Sequence, residues 1–296
     1  MGKLVFSGAI YSGLLFFFLN SCISRQEISV LSYYNYDREL PLEESVRLLA
    51  DSAAVQLYAV SFTSVHNNRV RGLLSIPVNP DPMPLVILLH GLGDRKTVDY
   101  IEAGHTHFIE SGYAVLRIDI ANHGERKKQN YDFDLVNGYR YWTRDIISQT
   151  VFDLRRSVDF LKTRDEIDIE RLGFFGISLG GVIGTIFCGV DERIKVPAIA
   201  LAGGNLSLMF GLDALTKETQ EFFSIIDPVN FVEQITPRPL LMINAENDEV
   251  IAPVTSKLLF EKAENPKKII WYPSKHRDLP VDKAYRDGIQ WFGEHL

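Results

Sequence analysis

The chain has 296 residues, 46% of them hydrophobic, which is ample for a buried core in one large domain or two small ones. A formal net charge of −7, with no basic run beyond Arg126, Lys127 and Lys128, argues against nucleic acid as a partner. The only cysteines, Cys22 and Cys188, exclude a disulfide framework, and no internal repeat or low-complexity tract is present.

The chain opens with Lys3 and an uncharged, largely apolar run from Leu4 to Leu19. At about 16 residues this is short for a membrane-spanning helix, which needs ~20, and it fits an export signal. Leu19-Asn20-Ser21-Cys22 follows and resembles a bacterial lipoprotein signal, in which the cysteine after the cleavage point is lipidated. The resemblance implies a signal peptide over residues 1–21, an acyl anchor on Cys22 and a place in the bacterial cell envelope. Asn20 departs from the small or β-branched residue usual there. An uncleaved signal anchor and a plain secretory signal are the alternatives.

Residues 22–50 read as a polar tether, rich in tyrosine at Tyr33, Tyr34 and Tyr36, that leads into a short helix from Leu42 to Ala53. From about residue 51 the pattern is that of a folded domain. Val55 to Val65 and Val70 to Ile76 are extended runs joined by His66-Asn67-Asn68, which predicts a β-hairpin. Leu85 to Leu89 is a continuous apolar run of the kind buried on both faces, and Ala114 to Ile118 reads as another buried strand. Between them Val98 to Glu110 reads as a helix. Tyr139 to Lys162 is a long amphipathic helix, with Ile146, Phe152, Val158 and Leu161 near one stripe. Further strands are expected at Arg171 to Phe175, Val196 to Leu201, Pro239 to Ile243 and Lys268 to Trp271. Helices are expected at Gly181 to Cys188, Val254 to Ala263 and Asp282 to Glu294. Such alternation predicts a mostly parallel sheet covered on both faces, with ligands bound at the carboxyl ends of its strands. A small insertion, at about residues 205–227, carries Leu208, Met209, Phe210, Leu215, Phe222 and Phe223. It is expected either to roof a site or to pack into the core.

The chemistry centres on Gly176-Ile177-Ser178-Leu179-Gly180, set between an apolar strand and a small-residue helix. Strand, G-x-S-x-G and helix form the context of a nucleophile elbow, where glycines let strand and helix approach closely. A serine needs a base, and the imidazole needs an acid to hold its tautomer. Hydrolases with this elbow place them in the order Ser, acid, His. Asp248 follows the strand ending at Ile243 and is the expected acid, with Glu246 and Glu249 as rivals. His276 follows the last strand and is the expected base; the other histidine beyond the elbow, His295, falls at the tip of the final helix. The N–H groups of Leu179 and of Leu92, in the loop after Leu85 to Leu89, are the expected oxyanion donors. His90 reads as structural, orienting that loop.

With those residues in view, Leu85 to the C-terminus resembles an α/β-hydrolase of the esterase-like group that includes dienelactone hydrolases, acetyl esterases and prolyl oligopeptidase relatives. The matching pieces are His90 to Lys96, Asp119 to Gly124, Gly176 to Gly181, Asn244 to Asp248, and His276. The resemblance implies an α/β-hydrolase fold over residues 51–296, with an antiparallel N-terminal hairpin, and cofactor-independent cleavage of a small-molecule carboxylic ester through an acyl-enzyme. A peptidase or amidase of the prolyl oligopeptidase kind, and a non-catalytic binding module on the same fold, are the alternatives. Lys275 and Arg277 flank His276 where relatives often carry glycine, giving a basic rim. Elsewhere the residues point away from function. His105 and His107 are two apart on a helix and make a poor metal pair; Asp119 and His123 match a structural loop of the group. Arg126 to Lys128 read as a solvated loop, with an anionic substrate or lipid headgroups facing them as the alternative, and Cys188 reads as a small buried hydrophobe. No cofactor or metal is expected, and oligomeric state is left open.

Overall fold

The computed structural model describes residues 29–128 and 133–296, so the export signal and the acylation site expected over residues 1–22 lie outside it. The predicted hairpin forms from β2 (Val55–Thr63) and β3 (Arg69–Pro77), paired antiparallel from Val55 opposite Pro77 to Thr63 opposite Arg69. Its turn places His66 and Asn67 at positive φ, a conformation asparagine and histidine adopt more readily than most residues.

The segment before the hairpin differs from expectation. Leu42 to Ala53 is not a helix: it contains a strand, β1 (Ser45–Asp51), antiparallel to β2. Only Val46 in this strand is less than exposed, so a helix there would have had no apolar face to pack and little stability of its own. Pairing with the free edge of β2 satisfies the backbone instead. Residues 30–36 are not a tether either. A tight 3₁₀ turn, Val30–Tyr34, carries Tyr34 to 0% exposure against Phe152 and Phe231, its hydroxyl donating to the Ile225 carbonyl at 2.6 Å. Tyr36 donates to Asp159 at 2.8 Å, and burial pushes its phenol up to about 12. Aromatic rings bury more area than a spacer can leave in water, so the folded domain includes residues 30–50 and does not start at 51.

The rest of the sheet is parallel: β4 (Met83–Leu89), β5 (Ala114–Ile118), β6 (Ile167–Ile177), β7 (Val196–Ala200), β8 (Leu240–Ala245) and β9 (Lys267–Tyr272). The strand order is β1-β2-β3-β5-β4-β6-β7-β8-β9, with β3 antiparallel to β5. Side chains alternate between two cores as the pleat requires. Leu85, Ile87 and Leu89 face the core beneath α2 (Arg140–Leu161) and α3 (Leu179–Val190), whereas Val86 and Leu88 face the core beneath α1 (Asp99–Glu110) and α6 (Val281–His295). Cys188 is buried in the first of these, and burial pushes its thiol well up. This is the expected α/β-hydrolase architecture.

One surface expectation changes. Arg126 does not belong to a solvated loop: it is buried, donating to the Asp119 carbonyl at 2.9 Å and pairing with Asp153 at 2.6 Å. The insertion folds as a 3₁₀ segment, Leu206–Leu215, and a short helix α4 (Lys217–Phe223). Phe222 and Phe223 enter the core while Leu212 is 91% exposed. The side chains of Met209 and Phe210 lie outside the described ones.

Candidate active site

Because the strands from β5 to β9 run parallel, the loops after their carboxyl ends gather along one edge of the sheet, and each predicted site residue sits on one of them. Ser178 occupies the single position between β6 and α3, at φ 57° and ψ −119°. This is a sparsely populated conformation for a residue with a Cβ. The surroundings hold it there: its N–H donates to the Ala200 carbonyl at 2.9 Å, and its own carbonyl accepts from Gly181 at 2.8 Å and Val182 at 3.0 Å. The flanking glycines are sterically required. A Cβ on Gly176 would lie 2.3 Å from the Gly180 carbonyl oxygen, and one on Gly180 would lie 2.4 Å from that of Leu89.

His276 opens a 3₁₀ turn after β9, and its Nε2 lies 3.0 Å from Ser178 Oγ. Its Nδ1 lies 2.7 Å from Asp248 Oδ2. Asp248 is 8% exposed, and its other oxygen accepts from the N–H groups of Val250 at 2.8 Å and Ile251 at 2.7 Å. With both oxygens occupied by donors, the carboxylate favours the tautomer that carries its proton on Nδ1, leaving Nε2 to accept from the serine hydroxyl. The structure therefore brings Ser178, His276 and Asp248 together across 98 and 28 positions of sequence. The rival carboxylates do not reach the ring. Glu246 is exposed, and Glu249 meets His276 only at its backbone N–H, at 3.2 Å. Hydrogen bonds from its own backbone and that of His276 hold the Glu249 carboxyl below the usual range.

The loop after β4 lies against the serine: a Cβ on Gly91 would stand 3.3 Å from Ser178 Cβ. His90 is fully buried and structural, accepting from the Ile120 N–H at 3.1 Å and donating to the Gly91 carbonyl at 2.7 Å. Burial pushes its pKa down to about 4, so the ring is neutral at ordinary pH. Asp119 ties the loops together, accepting from the Lys96 N–H and from Lys96 Nζ, both at 2.7 Å, and from the Glu125 N–H at 3.1 Å. Leu92 is half exposed beside the serine, and Leu179 stands in the first turn of α3, where N–H groups lack intrahelical partners. Among the described residues neither of these two N–H groups donates to another group of the chain.

Two residues of the site were not anticipated. The Tyr100 hydroxyl accepts from the Gly91 N–H at 2.8 Å and donates to Asp94 at 2.7 Å, linking α1 to the loop. Burial raises its phenol far above the ordinary value. Leu201, at the end of β7, sits at φ 51° and lines the same pocket. The sequence signal for Tyr100 was only its place in the first turn after the His90 to Lys96 loop; Leu201 gave none.

The pocket holds about 400 Å³ and is bounded by Leu92, Tyr100, Leu201, Val250, Leu279 and Val281 around Ser178 and His276, with Arg277 at its margin. No residue of the insertion is among the described residues that line it. His105 and His107 are apart from the site and from each other, His105 facing Ser75 at 2.9 Å and His107 facing Asp282 at 3.0 Å.

Comparisons with known proteins place the chain in an esterase family. The acetyl xylan esterase (AXE1) family matches residues 30–201, more than half of the chain, a span that includes Leu92, Ser178 and Leu179 but ends before Asp248 and His276. Among solved structures, acetyl xylan esterase from Paenibacillus sp. R4 superposes with a TM-score of 0.72 at 19% identity, over 90% of this chain and 91% of that one. Acetyl xylan esterase 1 from Thermoanaerobacterium sp. JW/SL YS485 gives 0.73 at 17%, over 90% and 92%. At these identities the likeness is one of fold. Among curated relatives, YtaP of Bacillus subtilis (strain 168) is 26% identical over 130 residues, which span 39% of this chain and 42% of that protein. YfhR of Escherichia coli (strain K12) is 22% identical over 241 residues, 77% of this chain and 78% of its own.

Proposed function

Since the chain belongs to the acetyl xylan esterase family and is a serine esterase-type hydrolase of carboxylic esters, we propose that it removes acetyl groups from a xylan-type glycan through an acetyl-enzyme on Ser178. The observation that carries this reading is the hydrogen-bonded chain from Ser178 Oγ through His276 to Asp248, at 3.0 and 2.7 Å. Ser178 Oγ attacks the ester carbonyl carbon while His276 Nε2 takes the hydroxyl proton. Negative charge gathers on the former carbonyl oxygen, and the N–H groups of Leu92 and Leu179 receive it. As the intermediate collapses, His276 gives its proton to the departing sugar oxygen. Water then attacks the acetyl-serine with His276 again as base, releasing acetate and restoring Ser178. Asp248 stabilises the imidazolium in both halves.

A pocket of about 400 Å³ has room for an acetyl group and part of its alcohol. The test is acetate release from acetylated xylan, together with a chain-length series of 4-nitrophenyl esters. Acetate from the glycan and a preference for acetyl over octanoyl esters are expected. Hydrolysis of only the long-chain esters would contradict the acetyl reading.

Tyr100 is a positioning residue in this scheme, because its hydroxyl fixes the peptide one position before the Leu92 donor. Tyr100→Phe leaves the Gly91 N–H without its partner, and an unpaired buried donor costs about 1–3 kcal/mol. We expect kcat to fall roughly tenfold with KM little changed. Steady-state kinetics would decide, and an unchanged kcat would mean that the loop is held by other contacts.

We further propose an acyl anchor on Cys22, on the strength of Leu19, Ser21 and the apolar run before them. Several acyl chains hold a protein at a membrane where one binds only marginally. The wild type should partition into detergent and carry acyl mass on Cys22, and Cys22→Ser should abolish both. A mature N-terminus without acyl mass would refute the anchor and leave the catalytic reading untouched.

A further inference from the structure

A second and larger cleft, of about 700 Å³, opens between the β2–β3 turn, the loop after β5 and the first half of α2. It shares no lining residue with the pocket at Ser178. We propose that this cleft is an accessory subsite that binds the sugar chain flanking the acetylated unit, an inference that rests on the glycan-ester reading above.

The lining has the mixed character a sugar requires. Tyr33 and Trp142 keep 42% and 47% of their surface in solvent, whereas Tyr34, one residue along, is fully buried. Beside these aromatic surfaces stand Asn68, Arg71 and Asp145. Two of the lining cations are already committed, Arg69 to the Glu43 carbonyl, Thr63 and Ser61, and Arg126 to Asp119 and Asp153, while Lys128 stands exposed at the margin. Arg71 and Asp145 are exposed, and among the described residues their side chains form no ion pair or hydrogen bond. A pyranose ring has one apolar face of C–H groups and a rim of hydroxyls. The face stacks on an aromatic ring, and the hydroxyls bond to planar polar groups such as guanidinium, carboxylate and amide. A purely apolar ligand would strand Arg71 and Asp145 without water, and a simple anion would meet Arg71 and Lys128 but leave Asp145 unpaired and make no use of the rings.

The location fits a chain that also reaches Ser178. Gly72 of β3 lies opposite Ile118, the last residue of β5, so Arg69 to Arg71 stand at the carboxyl end of β5. Ser178 follows β6, two strands along in the order β5-β4-β6. At ~4.8 Å per strand this is on the order of 10 Å from the loop after β5 and about 15 Å from Arg71 on β3, along the same edge, within the span of a short oligosaccharide.

Xylohexaose binding to the full chain carrying Ser178→Ala, measured by calorimetry, reads the cleft without turnover. Binding is expected, weakened roughly fivefold or more when Trp142→Ala or Arg71→Ala is added. In the catalytically intact chain the same two changes should lower kcat/KM on acetylated xylohexaose by a similar factor through KM, with 4-nitrophenyl acetate hydrolysis kept within twofold. No xylohexaose binding, binding indifferent to both changes, or an equal loss on the aryl ester would each overturn the subsite. If the wild type cleaves aryl acetates yet releases no acetate from xylan, the proposed substrate is wrong. The calorimetric result then still decides whether the cleft binds sugar.

Discussion

Replacing Ser178 with alanine is expected to lower kcat for ester hydrolysis by about 10⁴-fold or more while the protein stays folded. Alanine accepts the φ of 57° as poorly or as well as serine does, and the bonds that hold this peptide are backbone ones, to Ala200, Gly181 and Val182. The change therefore removes little besides Oγ and its contact with His276. What survives is the rate enhancement from the oxyanion groups and from binding, which in serine hydrolases is on the order of 10³–10⁴ over water. Kinetics on 4-nitrophenyl acetate, with a thermal melt as the control for folding, would measure it. A loss under tenfold would mean that another nucleophile performs the reaction.

Asp248→Asn is expected to cost kcat about 10³–10⁴-fold, against less than tenfold for Glu246→Gln or Glu249→Gln. Asp248 Oδ1 is taken by the N–H groups of Val250 and Ile251, so the atom facing His276 Nδ1 in the variant is the amide nitrogen. A donor there turns the imidazole to the tautomer with its proton on Nε2, which cannot accept from Ser178. Glu249 touches only the backbone of His276, and losing its charge leaves the ring where it was. If Glu249→Gln proved the more damaging change, the histidine would have to turn to a different acid in solution.

The parts of this arrangement that were legible in the sequence are those with a local cause. Strands buried on both faces are mostly apolar, so β4, β5, the end of β6, β7 and β8 stand out as short runs. The residues at their carboxyl ends, Ser178 and Asp248 among them, could then be placed by counting. G-x-S-x-G declares itself because Gly176 and Gly180 meet backbone atoms at distances no side chain allows. What was missed depends on contacts between distant segments. β1 is an edge strand with a single half-buried residue, so it lacks the alternation that marks β2, and only the free edge of β2 makes it a strand. Tyr34 lies in a polar stretch and is buried by Phe152 and Phe231, more than a hundred residues away. Arg126 looked solvated because its partner, Asp153, belongs to another element. The link from Tyr100 to Gly91 and Asp94 spans a loop and a helix turn, and no spacing rule reports that their polar atoms meet. For the insertion the sequence leaves two placements open, and contacts decide between them: Phe222 and Phe223 pack into the core rather than over the serine.

The central claim is that Ser178 is the nucleophile of an acyl-enzyme, and covalent trapping tests it most directly. The full chain would be treated with a fluorophosphonate, digested, and sequenced by mass spectrometry. The account predicts one phosphonyl adduct, on Ser178 within the peptide that carries Gly176 to Gly180, formed in step with the loss of esterase activity and absent from the Ser178→Ala variant. Inactivation with the adduct on any other residue, or undiminished labelling of Ser178→Ala, would contradict it.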